Sequence, residues 1–214
     1  MLAATFGTKP STVTIDAQRP IAQIAVSSLN ARAVSFDVRI HRWAQNADGD
    51  VVDAAEAPGL LVVPPIFSIA PYQTMLIRVA FRGPAPSPSA EGSYQVAMTE
   101  IVGGSTTPRV ITVPMFVRPA ATSGSVSYML RRTGSTAASL VIQNASNVHV
   151  FLSKLAIILN EKTLYKGSSS IYVLAGSTRT VPLQMTDALT GNQAELRFEA
   201  EDGSSKSAQA TIAP

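Results

Sequence analysis

The 214-residue chain has no cysteine, which removes disulfides, thiol catalysis and thiolate metal sites together and leaves its redox compartment open. Charge is sparse too. Lys, Arg, Asp and Glu make up 14% of the residues, and 17 basic against 14 acidic side chains leave a net charge of +3. The basic residues are scattered, with Arg131 and Arg132 the one adjacent pair, so no nucleic-acid footprint is expected. Aromatics, at 6%, mostly fall at positions that read as core and do not interleave with basic residues as a single-strand platform would. No apolar run approaches the roughly 18 residues of a membrane-spanning helix, so no membrane insertion is expected. The two histidines, His41 and His149, each stand in or beside a predicted strand with no second ligand at metal spacing, so no metal site is expected. Met1 to Thr5 lacks the basic region and apolar run of a signal peptide, and reads as a cytosolic start or as a mature chain with an added Met.

What is present is hydrophobicity, at 46%, arranged with period two. That composition excludes a disordered chain, and the length suits two ordinary cores. Thr12–Ile15, Ile21–Ser28 and Ala33–Trp43 alternate, the last with Val34, Phe36, Val38 and Ile40 on one face. Leu60–Val63, Ile66–Ile69, Met75–Phe81 and Tyr94–Val102 add short extended pieces, while Asn46–Gly59 reads as a loop with room for one helical turn. Ala120-Ala121-Thr122-Ser123-Gly124 is small and polar, the composition of a hinge. Beyond it seven short strands are expected, from Ser139–Gln143 to Ala208–Ile212. Within them Leu155, Ile158 and Leu159 also fit a helical stripe, but the surroundings favour strand. The reading is all-β, with two sandwich domains, 1–119 and 120–214.

The most informative stretch is Arg109–Pro119, Arg-Val-Ile-Thr-Val-Pro-Met-Phe-Val-Arg-Pro. One face of this strand carries Ile111, Val113, Met115 and Val117, the other Val110, Thr112, Pro114 and Phe116. Pro114 has no N–H for a ladder, so the strand belongs at a sheet edge or carries a bulge. An apolar edge recruits other chains unless it is blunted or covered. Two readings follow. In one the strand accepts a partner by strand addition through Ile111, Val113 and Met115; in the other it is an ordinary last strand with that row in its own core.

Other chemistry is weakly signalled. Asn46-Ala47-Asp48-Gly49-Asp50 has the composition of a calcium loop without the closing Glu, and reads as a polar turn. Gly103-Gly104-Ser105 lacks the Gly-Lys-Ser/Thr ending of a phosphate loop, and no Gly-x-Ser-x-Gly marks a serine nucleophile.

The order of motifs resembles the PapD-like periplasmic chaperones of the chaperone–usher pilus pathways over nearly the whole chain. In the first domain the resemblance rests on Ile24–Asn30, on Val63–Pro71 leading into Ile77-Arg78-Val79, on Tyr94 with Thr99-Glu100-Ile101, and on Pro114–Pro119 as the end of the family's G1 strand. In the second it rests on Leu140–Val150 and Tyr172–Arg179. It implies two immunoglobulin-like sandwiches joined in an L, no cofactor, and a periplasmic location. It also implies donation of the G1 strand to an incomplete pilus or surface-fibre subunit, which is then delivered to an outer-membrane usher, and self-association through exposed edges in the free state.

Three departures stand out. The family's basic anchors for the client carboxylate align here with Thr12 and Pro114, neither of them basic. Arg78, Arg109 and Arg118 become the candidate anchors instead. The stretch from Glu100 to Pro119 is short for a donor strand, and Gln95 follows Tyr94 where many relatives have Arg. The alternative reading is a diverged structural or adhesive protein of the same fold with a non-pilin partner.

Overall fold

A computed structural model describes residues 6–49, 51–53, 55–84, 86–104 and 106–213. The start Met1–Thr5, Asp50 of the polar turn and Ser105 of the glycine loop lie outside the described residues. Strand is the regular element throughout, and no helix occurs among the described residues. Two compact units result, Met1–Ala44 with Asp53–Ala120, and Gln45–Val52 with Ala121–Pro214.

The first unit contains β1 (Phe6–Lys9), β2 (Val13–Ile15), β3 (Ile21–Ser28) and β4 (Val34–Arg42). A small ribbon, β5 (Ala44–Gln45) with β6 (Val51–Asp53), follows where the sequence suggests a loop or a helical turn, and its Gln45 and Val51–Val52 count with the second unit. Then come β7 (Leu60–Val63), β8 (Ile66–Ile69), β9 (Thr74–Phe81), β10 (Gly92–Glu100) and β11 (Val110–Val117). One sheet runs β1-β3-β9-β7 and the other β2-β11-β10-β4-β8. Their facing rows, among them Ile24, Val26, Ile77 and Val79 against Phe36, Val38, Val96, Met98, Val113 and Met115, form one buried core. Because β-strand side chains alternate, the alternation that identifies each strand also decides which row is dry.

β1 and β2 are two pieces of one edge segment that changes sheets: β1 pairs with β3, then β2 runs parallel to the end of β11. A turn fixes β2 there. Asp16 Oδ1 accepts the N–H groups of Gln18 at 2.8 Å and Arg19 at 2.7 Å, and the Arg19 N–H above all holds this carboxyl below its ordinary range. Phe6-Gly7-Thr8-Lys9 carries too little apolar alternation to be read as a strand from sequence.

Among the described residues beyond Ala120, eight strands occur where seven are expected: β12 (Val126–Arg132), β13 (Ala137–Asn144), β14 (Val150–Leu159), β15 (Lys162–Lys166), β16 (Ile171–Val173), β17 (Thr178–Gln184), β18 (Gln193–Glu199) and β19 (Ser205–Ala213). They are hydrogen-bonded in the order β15-β14-β18-β19-β12-β13-β17, with β16 also on β14, around a core that includes Leu130, Leu140, Ile142, Leu152, Ile157 and Leu196. The additional strand is β12, whose alternation of Val126, Tyr128 and Leu130 was legible.

The helix-like spacing near Leu155 has a local cause. Lys154 adopts φ 50° at a bulge between Ser153 and Ala156, and the extra residue brings Leu152 and Leu155, three apart, onto the same buried face. The hairpin to β15 closes through Asn160 and Glu161, both with positive φ, the geometry of a two-residue type I′ turn.

Candidate functional site: the open half of the last strand of the first unit

β11 pairs along its whole length with β10, from Gly92 opposite Val117 to Thr99 opposite Val110. On its other side, among the described residues, only Met115–Val117 are covered, by Val13–Ile15. Val110–Pro114 therefore forms an open edge.

Hydrogen-bond parity says which groups that edge offers. Glu100 N–H donates to the Arg109 carbonyl at 2.8 Å, so odd-numbered residues of β11 face β10. Arg118 N–H donates to the Ile15 carbonyl at 3.0 Å, which puts even-numbered residues on the opposite side. Val110 and Thr112 thus present their N–H and C=O groups outward, while the Pro114 carbonyl, of the same parity, is the first acceptor of the β2 ladder that begins at Val13 opposite Met115. The missing N–H of Pro114 falls where the cover by β2 ends, so it costs the protein's own ladder nothing. Pro114 was the signal in the sequence: residues of its parity share its edge, which picks out Val110 and Thr112.

The side chains divide differently from the sequence expectation. Val113 and Met115 are fully buried in the unit's own core, opposite Val96 and Tyr94. As free donor side chains these two are corrected: the inner face of β11 is already covered by the β1-β3-β9-β7 sheet. Ile111, opposite Met98, is partly buried at the mouth of that core, and Val110 is exposed. On the outer face Phe116 is buried beside Trp43, their ring centroids 5.9 Å apart.

The three candidate arginines do not form one site. Arg78 is exposed on β9, in the sheet opposite β11. Arg109, immediately before the open edge, has Nε 3.9 Å from Glu100 Oε2. Arg118, past the covered end, has Nε 3.9 Å from Oε2 of the buried Glu91. The two aligned family positions do meet: continuing the β2–β11 register by one residue sets Thr12 opposite Pro114. His41 lies on β4 of the first unit, while His149 Nε2 in the second sits 3.2 Å from Glu201 Oε2. Among the described residues no group of three His, Cys, Asp or Glu could hold a metal ion.

Two all-β units, the first ending in a strand with half of its hydrogen-bonding edge open, define a protein equipped to receive another chain's strand. Residues 5–123 match the family described as pili and flagellar-assembly chaperone, PapD N-terminal domain, and the chain belongs to that family. No curated protein is similar to it in sequence. Among solved structures, it is similar to a chain of the CsuC–CsuE chaperone–tip adhesion subunit pre-assembly complex from the archaic chaperone-usher Csu pili of Acinetobacter baumannii. That match has a TM-score of 0.69 and 17% identity, over 99% of this chain and 100% of that one. The E. coli chaperone DraB matches with a TM-score of 0.63 and 15% identity, over 97% and 95% of the two chains. A chain of the Salmonella enterica SafA pilin–SafB chaperone complex matches at 0.63 and 18%, over 99% and 97%.

Proposed function

We propose that this chain is a periplasmic chaperone that takes pilus or surface-fibre subunits on the Val110–Pro114 edge and passes them to an outer-membrane usher. The observation that carries this reading is the half-covered β11, which offers the N–H groups and carbonyls of Val110 and Thr112 to an incoming strand. Membership of a chaperone family supports it, as do structural relatives solved with a tip adhesion subunit and with a pilin. In this reading backbone pairing supplies most of the binding. The inner row runs from the protein's own core at Met115 and Val113 to Ile111 at its mouth, where a client groove would continue it.

Thr112→Pro tests the proposal. The substitution removes one outward N–H and sets a ring against the incoming strand, while the bonds of Ile111 and Val113 to β10 remain. Free-chain stability is expected to change by about 1 kcal/mol, and capture of surface-fibre subunits encoded beside this chain's gene to fall more than about tenfold. Undiminished capture by a folded Thr112→Pro chain would remove this edge as the client site.

Of the candidate anchors, Arg109 is the one that adjoins the open edge, and we assign it the client's carboxylate by charge-assisted pairing. Arg109→Ala should weaken capture by about 1 kcal/mol or more, with Arg78→Ala near wild type. Equal capture by wild type and Arg109→Ala in a titration at low salt refutes that assignment.

A further inference from the structure

The open edge ends at one tip of the first unit, and that tip carries several exposed apolar side chains. Strand registers place there the end of β3 at Ser28, the starts of β4 at Val34 and β9 at Thr74, the ends of β8 and β10 at Ile69 and Glu100, and the start of β11 at Val110. The loops at this tip carry Leu29, 66% exposed, Tyr72, 66%, and Ile101, 51%, and they adjoin Val110 at 57%. Val110 opens β11 and Ile101 follows β10, neighbours in one sheet, while Leu29 directly follows β3 in the facing sheet and Tyr72 lies in the turn that carries the chain from β8 to β9, across the two sheets. By register Phe6, Phe36 and Phe67 lie at or within two residues of these strand ends, with successive ring centroids 5.1 and 5.5 Å apart.

Tyr72 supplies a second observation. Gln73 N–H donates to the Ala70 carbonyl at 3.2 Å across a turn with Pro71 and Tyr72 at its centre, and Tyr72 has φ 58°. That is the third position of a type II turn, which glycine suits best, and a bulky side chain there is strained. The fold thus holds an exposed aromatic ring where its own stability would favour glycine, a pattern that marks interaction sites.

We infer that Leu29, Tyr72, Ile101 and Val110 form a second binding surface for the client subunit, covering apolar side chains beside the client's groove. The inference rests on the reading of Val110–Pro114 as the client edge, with which this surface is continuous. It assigns the tip side-chain burial that Val113 and Met115 cannot supply, because they are spent on the protein's own core.

Tyr72→Gly gives the discriminating result, since fold and binding are expected to move in opposite senses. The melting temperature should stay at or above that of wild type, because glycine relieves the left-handed position. Capture of the subunits encoded beside this chain's gene should fall about tenfold, and further with Leu29→Ser and Ile101→Ser added. Amide exchange on the captured complex should show protection at residues 29–33 and 70–73 beyond that of the free chain. Normal capture by the folded triple variant overturns the inference, as does a variant that only dissociates a dimer of the free chain. Thr112→Pro separates the two proposals: if it captures normally and the triple variant does not, the edge reading fails and the tip stands. If wild type captures none of the subunits, both are overturned.

Discussion

Val113→Asp is expected to unfold the first unit. Val113 is completely inaccessible, between Val96 on β10 and the facing sheet, and among the described residues no basic side chain is buried in that core. Replacing it forfeits about 1.5 to 3 kcal/mol of apolar burial and strands a carboxyl group that must be desolvated or protonated. The combined loss, above about 4 kcal/mol, is comparable with the whole stability of a marginal domain. Thermal unfolding of purified Val113→Asp should therefore lose the transition of the first unit and keep that of the second, which has its own core. Thr112→Asp is the matching control, one residue away and exposed, with an expected change within about 0.5 kcal/mol. A Val113→Asp chain that retained the first transition would mean that the inner row of β11 is free for a partner after all.

Asn144→Leu should have an effect of similar size on the second unit. Asn144 is buried, and its Nδ2 group serves the carbonyls of Val148 at 2.8 Å, Val173 at 3.0 Å and Leu174 at 3.0 Å. Its Oδ1 accepts the Ser146 N–H at 3.0 Å and the Ser146 hydroxyl at 2.6 Å. One side chain thereby ties the end of β13 to the turn before β14 and to the end of β16. Leucine nearly matches its size but leaves these groups without their partner, at about 1 to 3 kcal/mol for each one that stays dry. A total loss of about 3 to 5 kcal/mol is expected, read from denaturant unfolding of the second unit, with the first-unit transition unmoved. A loss below about 1 kcal/mol would show that water or backbone shifts replace the network.

Asn144-Ala145-Ser146-Asn147 has the composition of a turn, but that composition gives no hint of the carbonyls of Val173 and Leu174. They lie some thirty residues away along the chain. The same limit applies at the functional edge. Period-two alternation identified β3, β4 and β11, because a half-buried strand must alternate whatever it packs against. The absence of cysteine and the sparse charge excluded other chemistry, alternation pointed to an all-β chain, the resemblance carried by the ordered motifs implied a chaperone, and Pro114 alone marked β11 as an edge. The destination of the row Ile111, Val113 and Met115 stayed open, since an apolar row is equally suited to its own core and to a client's groove. Tertiary structure decided it through two non-local placements: the β1-β3-β9-β7 sheet covers the inner face of β11, and β2 covers its edge only from Met115 onward. The gathering of Leu29, Tyr72, Ile101 and Val110 at one tip was likewise beyond the sequence, because adjacency across a sandwich is set by strand order and register, and neither is encoded within a single strand.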